Sequence, residues 1–535
     1  MMLGNSISSN DGAQCLPPFE TWSIRKPSVE AEKGLVASQH YFSSDVGARV
    51  LGAGGNAVDA AIATSFAIGT VEPWMSGLGG GGYMLIHLGE SGETFIIEFG
   101  MIAPHNLDTE DYPLTGGQSA DMFGWPAVQD NRNIHGPLSM AVPGQVAGME
   151  LAHQKFGTWS WEDLLSPAIE SANRGLLVDW FATLAISASA TELSHYPSSG
   201  LAYLPNGMPP AGAWSGPPPT ITLPKLANTM RRLAKAGARD FYEGEIARSI
   251  VGDLIGCGSK IDTLDLSNYS AKLSRALTSQ YRDAEIYVSP GLTAGPSLLA
   301  ALKTLSEQGI SGSDSESDTY LAYARSLKDV YQTRLALLGD TPRIEQPECT
   351  SHISVVDSSG NFVSLTQTLL SPFGSKVVLP KSGILMNNGI MWFDPRPGNP
   401  NSIAPNKQPL SNMCPTLVRE ESGRITALGA SGGRRIMPAV FQLISNIVDF
   451  DMTLSQAFEK PRIDVSGTEV ATVDVNLSPH IAKRIREEMP VNRRLHGAYP
   501  AMFACPNAVS RDPVSGIMKG AAYIMSPWAK VSAAS

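Results

Sequence analysis

A chain of 535 residues lies beyond the size at which a single core keeps growing, so two lobes or one large multilayer domain are expected. With 43% apolar and 17% charged residues, 51 Gly and 38 Pro, it is compact and loop-rich, neither disordered nor fibrous. The formal net charge of −10, with basic pairs such as Arg231-Arg232 and Arg493-Arg494 standing isolated, excludes an electrostatic basis for nucleic-acid binding.

The first thirty residues contain Asp11, Glu20, Arg25 and Lys26 with Pro17, Pro18 and Pro27 and no apolar segment, so a cytoplasmic protein without a secretory signal is expected. Residues 54 to 69, GGNAVDAAIATSFAIG, are small and apolar throughout, with Asn56 or Asp59 placed to cap the start. They predict a helix buried on all sides. The apolar run from Ala60 to Val71 contains Thr64, Ser65 and Thr70 and stops at Glu72-Pro73, too short to span a bilayer, so no membrane partner is expected. It leads into GLGGGGYMLIH, residues 77 to 87. Phosphate-cradling loops run strand, loop, helix, whereas this one runs helix, loop, strand and lacks the GK[ST] ending. Its glycines are expected to allow close backbone packing beneath a strand.

Residues 205 to 219, PNGMPPAGAWSGPPP, predict a surface excursion or lid, because proline removes donors and fixes φ. Residues 311 to 318, SGSDSESD, read as a polar acidic loop before an amphipathic helix, TYLAYARSLKDVYQTRLALLG, ending near Gly339. The extended linker DTPRIEQPEC then delivers the chain to Thr350. TSHISVVDSSGNFVSLTQTL predicts a β-hairpin that starts there and turns at Ser358 to Asn361. The five cysteines, Cys15, Cys257, Cys349, Cys414 and Cys505, are widely spaced, and none of the nine histidines falls in an HExxH spacing. Neither a disulfide framework nor a metal is expected, and no cofactor is implied.

Two residues are candidate nucleophiles. Gly429-Ala430-Ser431-Gly432-Gly433 matches GxSxG between a predicted strand and a predicted helix, with Asp449 to Asp474 and then His480 or His496 following in the order of a hydrolase triad. Against Ser431 stands the frequency of such a pattern in a glycine-rich chain, where it is also a plain tight turn; its amides could serve another residue as an oxyanion hole. Thr350 needs a base, which an N-terminal threonine carries in its own α-amine of pKa about 8. The Cys349–Thr350 bond would have to be broken first, and the local pattern alone makes Thr350 a strand residue.

Larger blocks weigh on that choice. KGLVASQHYFSSDVGARVLGAGGNAVDAAIATSFAIGTVEPWMSGLGGGGYMLI, AVPGQVAGMELAHQKFG, TSHISVVDSSGNFVSLTQTL, FGSKVVLPKSGILMNN, PLSNMCPTLV and GASGGRRI together resemble the γ-glutamyltransferase family across almost the whole chain. WPAVQDNRNIHGP and NNGIMWFDPRPGNPNS resemble the branch that includes cephalosporin acylases. The resemblance implies an N-terminal-nucleophile hydrolase, a four-layer αββα sandwich made as a precursor that cuts itself between Cys349 and Thr350. A large subunit (1–349) and a small one (350–535) would form one unit. Thr350 matches the nucleophile and Thr368 the threonine whose hydroxyl bonds it, with a cross-strand hairpin partner as the plain alternative. Gly432 and Gly433 match the oxyanion-hole glycines. His352 also matches a family residue, with a structural role expected.

Departures from the family fall on the substrate side. Where glutathione-cleaving members that this chain resembles place an arginine for the α-carboxylate, EFGMIAP has Gly100. The acidic and amide side chains that hold the α-amine read Gly389 and Trp392. Leu370 stands for an asparagine, and the Ser-Ser pair is Ser411 and Asn412. Without a carboxylate partner a buried ammonium is poorly compensated, so desamino acyl amides such as glutaryl amides are expected over glutathione, with Ser411, Asn412 or Arg396 meeting a carboxylate. The partners are then an amide acyl donor and water or an amine. The alternatives are a glutathione hydrolase or γ-glutamyl transferase proper, a serine hydrolase using Ser431, and an inactive homologue that keeps the fold for binding.

Overall fold

The computed structural model describes residues 24–118, 125–310, 314–338, 349–466, 469–498 and 503–535. Two antiparallel seven-stranded sheets form its centre. The first runs, edge to edge, Lys530–Ala533, Gly34–Ser38, Ser351–Asp357, Phe362–Thr368, Gly81–His87, Thr94–Phe99 and Lys272–Arg275. The second runs Val29–Ala31, Met518–Ala522, Cys505–Arg511, Ile425–Ser431, Thr416–Arg419, Ala284–Val288 and Leu277–Tyr281. Both sheets draw strands from either side of the Cys349–Thr350 bond.

Strand alternation sorts the side chains into three cores. Leu35 and Ala37 face the second sheet, whereas Val36 between them meets a helix layer containing Tyr41–Gly52, Ala57–Val71 and Gln145–Phe156. Tyr83 and Leu85 against Met84 and Ile86 repeat that division. On the second sheet Leu417, Ala427 and Val509 enter the core between the sheets, while Val418, Leu428 and Ala508 meet the helices Gly295–Glu307, Glu316–Leu338 and Ile436–Val448. The order of layers is helix, sheet, sheet, helix, as expected for an αββα sandwich.

The helix Ala57–Val71 is buried at every position and starts with a capping box: Asn56 Oδ1 accepts from the Val58 and Asp59 amides, and Asp59 Oδ2 accepts from the Asn56 amide. Asp357 closes the adjacent strand and accepts from both the Ala57 and Asn361 amides, tying helix start to hairpin turn. The glycine-rich loop serves close approach. A Cβ on Gly79, Gly80 or Gly82 would lie 2.2, 2.3 or 2.3 Å from the carbonyl oxygens of Leu385, Thr368 and Thr366.

Elsewhere the excursion 205–219 holds a short 3₁₀ turn, Pro205–Gly207, and exposes Met208 and Trp214. The amphipathic helix begins at Glu316, earlier than its sequence predicts, because the Ser315 hydroxyl accepts from the Asp318 amide and caps it. Part of the acidic loop (311–313) and the linker before Thr350 (339–348) lie outside the described residues. Among the described residues no helix is long and apolar enough to cross a membrane.

Candidate active site

The hairpin Ser351–Asp357 and Phe362–Thr368 pairs Ser351 with Gln367 and Ile353 with Leu365. Continuing that register by one residue sets Thr350 opposite Thr368, so their separation in sequence is a cross-strand pair. Both are buried, and their hydroxyls converge on one atom. Thr350 Oγ1 donates to the Cys349 carbonyl oxygen at 2.5 Å and Thr368 Oγ1 donates to the same oxygen at 2.6 Å, with 3.4 Å between the hydroxyls. Thr368 Oγ1 in turn accepts from the Leu370 amide at 2.8 Å. A chain of donors thus polarises the carbonyl of the peptide that precedes Thr350.

Leu370 adopts φ 89°, a conformation that costs a branched residue steric strain. It is held there by its amide bond to Thr368 and by its carbonyl, which accepts from the Cys349 amide at 3.3 Å. The following turn is closed by Lys376, whose ammonium donates to Ser371 Oγ and to the carbonyls of Pro372 and Gly374. Burial lowers the Lys376 pKa to about 8.

The second sheet reaches the same end of the sandwich. The His352 ring lies where a side chain at Gly429 would be, and Gln39 bridges the sheets by accepting from the His352 amide at 2.8 Å and donating to Ser431 Oγ at 2.6 Å. Gly432 and Gly433 follow at φ 127° and 51°. The strand register sets Thr416 against Leu428, so the chain leading back to Asn412 and Ser411 emerges beside the same turn. His352 itself is buried and bonded to Thr366 and Ser354, with its pKa pushed down to about 3 by desolvation, which suits the structural role expected of it.

Ser431 sits at the strand–turn–helix junction its motif predicts, Ile425–Ser431 to Ile436–Val448. Its triad does not assemble. Among the described residues the hydroxyl's partner is the Gln39 amide, while His496 bonds the Tyr523 hydroxyl and Asp449 bonds Tyr281, Arg282 and Ser445. His480 lies in the first turn of the exposed-faced helix Pro479–Arg486.

At the positions expected to face substrate, the surrounding space is filled by the protein itself. A Cβ on Gly389 would lie 2.8 Å from Ala141 Cβ and 2.9 Å from Met101 Sδ, and one on Gly100 would meet Gln408 and Tyr83. Trp392 is buried between the sheets with Met101, Leu370, Ile390 and Met391. Asn388 connects this cluster to the chain leaving the Thr350 hairpin through its amide bond to the Leu369 carbonyl. Arg396 is engaged by its own neighbour, because Asp394 accepts from its Nε and Nη2 at 3.0 and 2.8 Å.

Sequence reasoning passed over the residue that orders Ser411 and Asn412. Buried Arg334 donates to the Ser411 carbonyl at 2.8 Å and to Asn412 Oδ1 at 3.1 Å. Only its place on the buried face of the helix Glu316–Leu338 hinted at it. His105, Asp262 and Asp265 could together approach a cation, but they serve as a helix cap: Asp262 and Asp265 form a capping box and Asp265 also accepts from the His105 amide.

A family model described as Gamma-glutamyltranspeptidase matches residues 43–349 and 341–522. The chain belongs to the gamma-glutamyltranspeptidase family. Relatives within that family include the glutathione hydrolase proenzyme of Bacillus subtilis (strain 168), 28% identical over 95% of this chain and 93% of the relative. The Acylase ACY 1 proenzyme of Pseudomonas sp. (strain V22) is also 28% identical, over 95% of each chain. Among solved structures, the cephalosporin acylase from Bacillus halodurans superposes with a TM-score of 0.82 at 23% identity, covering 97% of this chain and 99% of that one, and so shares the fold.

Proposed function

We propose that this family member is a self-processing N-terminal threonine amidohydrolase or acyltransferase that acts on desamino acyl amides of the glutaryl type. The observation that carries the reading is the Cys349 carbonyl held by the hydroxyls of Thr350 and Thr368. In processing, Thr350 Oγ1 attacks the Cys349 carbonyl carbon, the C–N bond passes to an ester, and water hydrolyses it. Segments 1–349 and 350–535 are then separate chains in one molecule, and the freed α-amine serves as base.

In turnover the same hydroxyl attacks an amide carbonyl, expels the amine and leaves an acyl-enzyme for water or an acceptor amine. Gly432 and Gly433 supply donors to the developing oxyanion, a role commonly worth about 3 kcal/mol. The acyl group lies against the wall of Leu370, Met101 and Trp392, with Ser411 and Asn412 at its polar side. An α-amino group brought into that apolar wall would lose water without gaining a carboxylate, which favours the acylase named among the relatives over the glutathione hydrolases.

The test has two readouts. Purified protein is expected as two bands split at Cys349, with Thr350→Ala remaining one band and inactive. The mature enzyme is expected to show higher kcat/KM for glutaryl than for γ-glutamyl anilide; a γ-glutamyl preference would make it a glutathione hydrolase or γ-glutamyl transferase instead.

A further inference from the structure

A polar knot lies beneath the open end of the Thr350 hairpin, in a layer dominated by apolar side chains. Side chains alternate along a strand, so Ser351 and its cross-strand partner Gln367 point to the face opposite Thr350 and Thr368. There they meet Ser65 on the helix Ala57–Val71, Ser76 on the loop after it, and Gln145 at the first position of the helix Gln145–Phe156. None of the five is more than 2% exposed.

The bonds among them fix which way each amide turns. The Ser65 backbone carbonyl can only accept, and it takes Gln367 Nε2 at 3.2 Å; the same nitrogen donates to Ser76 Oγ at 3.0 Å. Gln367 Oε1 therefore faces the other way and accepts from Ser65 Oγ and from Gln145 Nε2, each at 2.6 Å. The Ser65 hydroxyl, its proton given, accepts the second Gln145 hydrogen at 2.8 Å. Gln145 has then given both its protons, and its Oε1 is left buried with no donor among the described residues. Turning that amide over would set its oxygen against Gln367 Oε1, acceptor against acceptor. At the far end Ser76 Oγ bonds Ser351 Oγ at 3.0 Å.

Gln145 also lines a cavity with room for about one water, whose walls include Ser65, Thr70 and Ser76 on the polar side and Leu369 and Leu385 on the apolar side. A buried acceptor beside such a space calls for a donor, since an unmatched amide oxygen carries its full desolvation cost. An apolar occupant supplies no proton, and a cation would find no carboxylate in these walls. We propose that this cavity is a binding site for one water, which donates to Gln145 Oε1 and completes the hydrogen-bonded network under Ser351. On the acyl-transfer reading above, Gln145 is then a positioning residue, because the network holds Ser351 and the peptide between them carries Thr350.

Two measurements test this. A crystal structure of the wild type is expected to show an ordered water within about 3 Å of Gln145 Oε1, and a site without one overturns the proposal. In Gln145→Leu, kcat for whichever of the two anilides above the wild type prefers is expected to fall roughly fivefold with KM within about twofold, because a looser Ser351 disturbs the attacking group and not the contacts of the acyl group. An unchanged kcat overturns the positioning role. Should Gln145→Leu fail to fold, Ser76→Ala, which cuts the link to Ser351, carries the kinetic comparison. A failure of the acyl-transfer reading shows itself elsewhere, as a Thr350→Ala protein that still matures and works, and it leaves the water unaffected.

Discussion

The Thr368 hydroxyl has one proton, and it goes to the Cys349 carbonyl while its lone pair takes the Leu370 amide. Valine fills the same place in the strand without either bond, which leaves the Cys349 carbonyl less polarised and a buried amide unmatched. Thr368→Val is expected to slow the appearance of the two processed bands roughly a hundredfold, with Thr368→Ser close to wild type. A gel time course reads this directly, and processing of Thr368→Val at the wild-type rate would remove the hydroxyl from the mechanism. Cys349, by contrast, contributes only its backbone carbonyl and amide to these bonds.

The helix Ala57–Val71 reaches the hairpin through its start, where Asn56 caps two amides and also donates to the Phe156 carbonyl at 2.7 Å. Asn56→Ala should lower the stability of the fold by about 1 kcal/mol, seen as a lower urea midpoint, and an unchanged midpoint would mean that the cap is replaced by water or by Asp59 alone. This helix and the hairpin that begins at Thr350 were legible in the sequence because their signals are local: a cap before an apolar run, and a turn between two β-rich arms. The contacts around Gly100 and Asn412 were not. Tyr83 and Gln408 meet although 325 residues apart, and Arg334 reaches Asn412 from a separate helix, contacts that no periodicity encodes. The pairing of Arg396 with Asp394 was hidden for a related reason: a cation is visible in a sequence, but a nearby carboxylate announces nothing about which way it turns.

At the scale of the whole molecule, each sheet contains strands from both sides of Cys349, so a cut there leaves two chains that share three cores. Those cores also bury imidazoles, and this sets the acid limit of the fold. Desolvation, the leading cause in each case, lowers the pKa of His40 and His352 to about 3 and of His87 to about 4, and that of His496 falls well below its ordinary value. For His40 the geometry agrees, since its Nδ1 accepts from the Phe42 amide and must be unprotonated to do so. In the unfolded chain each of these rings takes up a proton near pH 6.5. Their contribution to stability is therefore fully present above that pH and is lost as pH falls from about 6.5 towards the folded values. Glu72 opposes this, because burial raises its pKa, which favours the folded state as pH falls. The depressed imidazoles outnumber this one raised carboxyl, so a net fall in stability is expected between about pH 7 and 5.5. Urea midpoints measured across that range should decline on the acid side, and a flat or rising midpoint would show that the buried imidazoles do not govern the acid response.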